Sequence, residues 1–507
     1  MLNEPWKHLK SGTDIRGVAL EGVEGQNVDL TDGVIEAIAS AFLLWLSGKN
    51  GKKIPDLVLA VGRDSRLSGP RIKKILLDVF TGAGAKVFDV DLASTPAMFM
   101  TTVDLGVDGS VQITASHHPW NRNGLKFFLP SGGLESQNIS EILEICQAGR
   151  RAPEAAGGKV VPSAYMNDYA ARLRKMIADG VGVPEEKMPL KGFHVVVDAG
   201  NGAGGFYEEK VLRPLGADTA GSQFLDPDGR FPNHVPNPEN KEAMASACDA
   251  VKRSGADLGI IFDTDVDRAG CVDAEGREIN RNRLVALASV IALAGNPGGT
   301  IVTDSITSKG LKIFLEEKLG AKHLRFKRGY KNVINKALEL NREGINSPLA
   351  IETSGHAALR ENYFLDDGAY LATKILIEAA KLKREGKELS VLLEGLQEPA
   401  ESDELRFAIK EADFKAAGEK VLADLEEYSR KMGWAVADDS FEGVRVTLPE
   451  KEGNGFFLLR LSVHDPVMPL NVESDEKGGC RVIAKNLYGF LKNRAELDLS
   501  PIEAYLK

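Results

Sequence analysis

The chain has 507 residues, 43% of them hydrophobic and 27% charged, and a formal charge of -10 at pH 7. That length exceeds one ordinary core and points to about three or four domains. The acidic balance argues against nucleic acid as a main partner, and the longest apolar run, 284–294, is too short to span a bilayer.

The four cysteines, Cys146, Cys248, Cys271 and Cys480, are far apart and form no metal-type pair. They read as reduced thiols of a cytoplasmic protein. Residues 1–12 are polar and carry no signal-peptide core.

The first domain is expected over 1–153. Thr13-Asp14-Ile15-Arg16-Gly17 reads as a turn bearing an arginine. Residues 32–45 place Ile35, Ile38, Ala39, Phe42 and, just beyond, Leu46 on one helical stripe. A strand is expected at 57–61, then the polar turn Gly62-Arg63-Asp64-Ser65-Arg66, where Arg63 either faces a ligand at the strand ends, as Arg16 could, or simply pairs with Asp64. A helix over 70–80, a strand at 86–90 and a helix opened by Thr95 as N-cap and Pro96 at its first position follow. Strands alternating with helices imply a mainly parallel sheet covered on both faces, with ligands beyond the carboxyl ends of the strands. Strands at 109–113 and 125–129 flank the loop Thr114-Ala115-Ser116-His117-His118-Pro119-Trp120-Asn121. The loop presents a hydroxyl at the end of a rigid sheet, and Lys126 adds a cation that can hold an anionic group near Ser116. The chemistry favours a serine that carries or transfers a phosphoryl group; a polar turn satisfying its own backbone is the bland alternative.

The second domain is expected over 154–281, after a linker at 148–159. A strand at 193–198 runs into Gly200-Asn201-Gly202-Ala203-Gly204-Gly205, which fits the spacing of a dinucleotide loop. The acid that should end the next strand is missing, since Asp218 lies too early, so a close strand-to-helix turn is the better reading. An oxidoreductase rests on this loop alone. A further apolar strand, 257–262, leads into Asp263-Thr264-Asp265-Val266-Asp267-Arg268. Three carboxylates at alternate positions are costly unless a cation neutralises them, and hard oxygen ligands favour Mg²⁺ or Ca²⁺ over zinc. An EF-hand fails, because Arg268 and Ala274 stand where it needs glycine and glutamate. A solvated acidic turn is the remaining alternative, and Arg268 suits a role beside the metal or on a phosphate. A phosphorylated Ser116 would complete such a metal's shell.

The third domain is expected over 282–398, with a strand at 300–303 and a helix at 308–318. Lys327-Arg328-Gly329-Tyr330-Lys331 gathers three cations around a glycine. The strand 349–351 leads to Glu352, and with Ser354 in the same loop a carboxylate and a hydroxyl suit sugar hydroxyls. His356, taken alone, reads as a structural histidine or as a general acid/base, since imidazole titrates near neutrality. Asp367-Gly368 opens a helix over 369–381. The fourth domain, 399–507, shows strands at 443–447, 456–463 and 470–473 and a helix at 479–492. Arg460, Ser462 and His464 alternate along a strand and so share one face.

With these motifs in view, the chain resembles the α-D-phosphohexomutases, the superfamily of phosphoglucomutase, phosphomannomutase and phosphoglucosamine mutase. Thr114 to Pro119 is similar to the family's TASHNP phosphoserine loop, with His118 in place of asparagine. Asp263 to Arg268 is similar to its DGDGDR metal loop, and Ile351-Glu352-Thr353-Ser354-Gly355-His356 to its GExSGH sugar loop. Lys327 fits the family's K-x-G-H segment, where Tyr330 replaces histidine. Arg460, Ser462, Pro466 and Glu473 fit its C-terminal phosphate loop, where Val463 and His464 depart from it.

The resemblance implies an α/β protein: three similar mixed α/β domains plus a C-terminal α+β domain, like the TATA-binding protein, around a central cleft. It implies interconversion of hexose 1-phosphate and hexose 6-phosphate through phosphorylated Ser116 and a hexose 1,6-bisphosphate. Arg16, His117 and Lys126 would act at the serine and His356 as acid or base. Ser116, Asp263, Asp265 and Asp267 would hold Mg²⁺. Arg268, Lys327, Glu352, Ser354, Arg460, Ser462 and His464 would hold the substrate. Glucose 1,6-bisphosphate is the expected activator, and a monomer or homodimer without a membrane partner the expected form. A sugar-phosphate-binding or phosphatase-like descendant is the rival reading, motivated by the altered 460–466 loop.

Overall fold

Ile35, Ile38, Phe42 and Leu46 recur at helical spacing along the helix Asp32–Asn50, and all four are fully buried. They close on Ile72, Leu76 and Phe80 of the helix Gly69–Gly82 and on Val61, Val111 and Phe127 of the sheet beneath. The rings of Phe42 and Phe127 stand 4.7 Å apart. Burying each large apolar side chain contributes about 1.5–3 kcal/mol, so this stripe decides which face of the helix meets the sheet. The helix runs past the expected 45 and ends where Gly51 turns left-handed, at φ 66°.

The computed structural model describes residues 2–462 and 465–507. The chain divides into two compact units. One is Met1–Asn280 with Ser354–Ala357 and Leu365–Val391; the other is Arg281–Thr353 with Ala358–Phe364 and Leu392–Lys507. Among the described residues no helix is long and apolar enough to cross a membrane.

The first unit holds two sheets. In the larger, Val58–Arg63 lies between Lys86–Leu92 and Gly109–Ile113, parallel to both, and Lys159–Pro162 continues the parallel side. Arg122–Leu129 pairs antiparallel with Gly109–Ile113 and with Asp14–Val18. Arg63 and Ile113 are register partners at the carboxyl ends of adjacent parallel strands. The turn after Arg63 and the loop after Ile113 therefore emerge side by side, where ligands of parallel sheets gather.

Two local expectations are corrected here. Arg63 pairs with Asp91 at 2.9 Å rather than with the carboxylate of Asp64, which turns inward to Arg66. The helix Thr95–Asp104 is capped by Ser94, whose hydroxyl accepts from the Ala97 N–H; Thr95 lies inside the first turn. Its hydroxyl is thereby free to serve the second sheet.

That second sheet runs Glu278–Ile279, Ala269–Asp273, Leu258–Phe262, Val195–Asp198. Leu258–Phe262 is parallel to Val195–Asp198 and antiparallel to Ala269–Asp273, so residues 263–268 form the tip of a hairpin. The helix Gly368–Arg384 packs on the helix Tyr165–Val181, where a Cβ on Gly180 would come within 2.8 Å of Ile377.

In the second unit Thr300–Asp304 is flanked by Lys322–Phe326 and Leu349–Ile351, both parallel to it. An antiparallel sheet follows in the order Glu401–Ala408, Val467–Ser474, Gly455–Leu459, Val444–Leu448, Ala435–Val436. The helices Phe414–Lys431 and Gly479–Leu491 bury Val421, Leu425, Ile483 and Leu487 against it. The strand expected over 456–463 runs as Gly455–Leu459, beyond which the Arg460 and Ser462 N–H groups still donate to the Pro469 and Val467 carbonyls at 3.1 and 3.0 Å. Pro469 has no N–H to return the first of these bonds.

Candidate active site

Ser116 has φ 51°, in the left-handed region that non-glycine residues rarely enter. Its N–H donates to Thr114 Oγ1 at 2.9 Å, and its carbonyl accepts from the guanidinium of Arg66. This turns the side chain out of the strand direction. Ser116 Oγ donates to Asp263 Oδ2 at 3.2 Å and accepts from Arg268 Nη2 at 3.1 Å. The serine loop and the acidic hairpin tip, 147 residues apart in sequence, thus meet at one hydroxyl.

Asp263, Asp265 and Asp267 are buried, and their ligand-capable atoms lie within 4.8 Å of one another. Asp265 Oδ1 and Asp267 Oδ1 are buried without a hydrogen-bond partner. Such oxygens are expensive to leave bare, so the trio suits a divalent cation. Burial and then the charges of Asp267 and Asp265 push the Asp263 pKa well above the usual carboxylate range. Burial would also raise Asp267, but Lys126, then His356 and Arg268, hold it below that range. Lys126 Nζ lies against Asp267 and 3.4 Å from Asp265, so its cation sits on the aspartates. Thr95 donates its hydroxyl to Asp265 Oδ2, which leaves Oδ1 as that residue's open oxygen.

The glycine loop underlies this hairpin. The N–H groups of Gly200, Asn201, Gly202 and Ala203 donate to Asp198 Oδ1 and to the carbonyls of Phe224, Ala199 and Thr264. A Cβ on Gly202 would come within 2.6 Å of the Thr264 carbonyl oxygen. The glycines serve close approach to the acidic loop, and the amides a pyrophosphate would need are engaged, so the dinucleotide reading falls.

Arg268 is buried and reaches four side chains. Nη2 reaches Ser116 Oγ, Asp263 Oδ2 at 3.1 Å and His117 Nδ1 at 2.7 Å, while Nη1 donates to Asn237 Oδ1 at 3.2 Å. A guanidinium only donates, so His117 accepts at Nδ1 and carries its proton on Nε2. His117 reaches the surface, yet the protein packed around its ring, then Arg268, His118 and Arg16, push its pKa down, which keeps the ring neutral. Arg16 is paired with Asp14 through Nη2 at 2.7 Å. His356 is the opposite case. Burial would lower its pKa, but Asp366, with Oδ2 2.6 Å from Nδ1, and then Asp267 raise it. Ser354 is buried in the same unit with its hydroxyl unpartnered.

The second unit carries the remaining expected residues. Glu352 is buried and accepts from the Gly329 N–H, which ties its loop to the cationic segment. Lys327 is exposed. Arg328 and Arg460 converge on Glu404 Oε2 at 3.8 and 4.0 Å. Ser462 Oγ accepts from the Asp465 N–H at 3.3 Å. His464 lies outside the described residues.

Sequence reasoning missed Arg66, Thr95, Asn237 and Asp366. Only Arg66 and Thr95 stood in stretches already singled out, and neither residue type announces the partner that gives it a role.

Three family descriptions match consecutive parts of the chain: phosphoglucomutase/phosphomannomutase alpha/beta/alpha domain I at 9–152, domain II at 167–276 and domain III at 280–399. These spans cover well over half of the sequence, and the chain belongs to the phosphoglucomutase/phosphomannomutase family. Among its relatives, a phosphoglucomutase/phosphomannomutase of Thermococcus kodakarensis is 31% identical, over 91% of this chain and 94% of the relative. A phosphoglucomutase of Neisseria meningitidis is 28% identical, over 94% of this chain and 96% of the relative. The crystal structure of a phosphoglucomutase/phosphomannomutase family protein from Burkholderia thailandensis superposes with a TM-score of 0.77 at 28% identity, over 97% of this chain and 98% of that one.

Proposed function

We propose that this chain is a phosphohexomutase, an isomerase of carbohydrate metabolism that interconverts hexose 1-phosphate and hexose 6-phosphate through phosphorylated Ser116. One observation carries the reading: the Ser116 hydroxyl, held in a left-handed turn, stands 3.2 Å from Asp263 and 3.1 Å from Arg268, beside carboxylate oxygens that lack partners. A serine facing an acidic trio suits phosphoryl transfer, because most of that reaction's catalysis is positioning and charge neutralisation.

On this reading a sugar hydroxyl attacks the phosphoserine. Its oxygen gains the P–O bond as the Ser116 P–O bond breaks, giving a hexose 1,6-bisphosphate. The reverse step at the other end returns a phosphoryl group to Ser116. Arg268 and Arg16 hold phosphoryl oxygens, and Lys126 offsets the aspartates. His117, neutral and accepting from Arg268, fixes that guanidinium at the serine. His356, oriented by Asp366, exchanges the proton of the attacking hydroxyl. Mg²⁺ held by Ser116, Asp263, Asp265 and Asp267 would polarise the transferring group. Glu352 and Ser354 take sugar hydroxyls, and Lys327, Arg460, Ser462 and His464 the phosphate that does not react. Glucose 1,6-bisphosphate, as activator, replaces phosphoserine lost to hydrolysis. The domain division proposed is 1–153, 154–281, 282–398 and 399–507, in a cytoplasmic monomer or homodimer. A descendant without mutase activity is not favoured, since the relatives named as mutases align over most of the chain.

The test is a coupled assay with Mg²⁺ and a trace of glucose 1,6-bisphosphate, offering glucose 1-phosphate, mannose 1-phosphate and glucosamine 1-phosphate separately. At least one is converted, intact mass shows one phosphoryl group on the protein, and Ser116→Ala abolishes both. Near-normal turnover by Ser116→Ala would refute the phosphoserine.

A further inference from the structure

We infer that Arg66 is a positioning residue of the phosphoryl-transfer reaction, holding the serine loop in the conformation that presents the Ser116 hydroxyl; the inference rests on the phosphoserine reading above. Arg66 and Asp64 are both fully buried. Arg66 Nη1 donates to the carbonyls of Pro119 at 2.8 Å and Arg122 at 2.9 Å. Its Nη2 donates to the carbonyls of Ser116 and of His118, the latter at 2.6 Å. One guanidinium therefore gathers four carbonyls across seven residues of the loop.

Other segments hold the far end of the loop, where the Asn121 carbonyl accepts from the Ala19 and Leu20 N–H groups at 2.8 and 3.0 Å and its side-chain amide donates to Gln26 at 2.9 Å. The loop's own backbone supplies two turn bonds, from His118 N–H to Ala115 and from Arg122 N–H to Pro119. Left-handed backbone at Ser116 costs about 1–2 kcal/mol for a residue with a Cβ, so the conformation persists only if its neighbours impose it. Thr114 Oγ1 holds the peptide before Ser116 and Arg66 holds the peptide after it. These are the two bonds that fix the residue's φ and ψ.

Arg66 is itself fixed. Its N–H donates to Asp64 Oδ1 at 2.8 Å, and its Nε lies 3.3 Å from Asp64 Oδ2. The Phe231 ring stands 5.3 Å from the guanidinium carbon. The neighbouring turn comes so close that a Cβ on Gly229 would meet the Leu67 nitrogen at 2.5 Å. The guanidinium bonds to the loop through main-chain oxygens alone, so its effect passes through Ser116. Lysine cannot replace it: an ammonium has three donors at one point, whereas the planar fork spreads its donors along the loop.

The test is Arg66→Lys, measured two ways. Hydrogen exchange by mass spectrometry should show faster exchange at 114–124 with the rest of the first unit unchanged. Steady-state kinetics should show kcat down by about 100-fold with KM within about threefold, the pattern of a misplaced reacting group whose substrate contacts survive. Unchanged exchange at 114–124 overturns the clamp. Wild-type kcat with an opened loop overturns the positioning role. An inactive wild-type protein sinks the phosphohexomutase reading instead, while the exchange result still decides the clamp. Phe231→Leu, at a half-buried position, covers the case where Arg66→Lys fails to fold. It should lower kcat at constant KM, and a wild-type kcat there also counts against the inference.

Discussion

Val266→Gly sets strain against packing at the tip of the acidic hairpin. Val266 has φ 66°, a region that β-branched residues almost never occupy, and its side chain is fully buried. Glycine would relieve about 1–2 kcal/mol of left-handed strain. It would also lose about 1.5–3 kcal/mol of valine burial and add about 0.5–1 kcal/mol of unfolded-state freedom. Packing wins on these figures, and the variant should be destabilised by about 1–2 kcal/mol. The assay is equilibrium denaturation followed by tryptophan fluorescence. Trp6, Trp45 and Trp120 lie in the first unit and Trp434 in the second, so a Trp434→Phe background reports on the first unit alone. A midpoint shifted to lower denaturant at unchanged slope is expected. A higher midpoint would mean that strain outweighs the valine's contacts, and the argument for this departure from the usual glycine would collapse.

Thr95→Val keeps the shape of residue 95 but removes the hydroxyl that orients Asp265. Divalent-cation affinity, titrated calorimetrically on metal-free protein, should weaken by about tenfold or more, as for other residues that orient a ligand; unchanged affinity would show that Asp265 orients itself. His234 supplies a pH dependence away from the acidic trio. Burial would lower its pKa, but the hydrogen bond and charge of Asp198, with both carboxylate oxygens 3.1 Å from Nε2, raise it. A raised folded pKa gives stability that is complete below the unfolded value of about 6.5 and lost as pH rises through the folded value. The gap in unfolding midpoint between wild type and His234→Asn should therefore narrow from pH 6 to pH 9, and a constant gap would remove the pair from the account.

The parts of this fold that were legible in the sequence are those whose signal is local. The helix Asp32–Asn50 announces itself because its stripe repeats every turn, and the acidic hairpin because three carboxylates in six residues need a reason to be there. The serine loop was readable for its residue types, not for its geometry: nothing in Ala115-Ser116-His117 says that Ser116 is left-handed. The misses are non-local. Arg66 looks like one more charge in a polar turn until the carbonyls of 116–122 arrive around it. Arg63 beside Asp64 invites a pairing by adjacency, but Asp64 belongs to the buried arginine two residues on. Opposite Arg460 the ladder lacks a return bond because Pro469 on the facing strand has no N–H, and a pattern read along one strand cannot see its partner.

The charges of the first unit's site explain why these pieces belong together. Asp263, Asp265 and Asp267 face Lys126, Arg268 and His356, and Asp366 offsets the last of these. Burial and the charges of Asp267 and Asp265 raise the Asp263 pKa, which marks the cost of the bare trio's negative charge. A phosphoryl group on Ser116 brings about two negative charges and a divalent cation two positive ones. Either alone would leave a buried imbalance; together they cancel. The unpartnered oxygens of Asp265 and Asp267 stand beside a carboxyl already in contact with the serine, so the cation's ligands and the phosphoryl acceptor form one electrostatic unit. The chain places Asp263 against the hydroxyl because Gly202 lets the loop beneath approach the hairpin backbone and Arg66 holds the serine turned towards it.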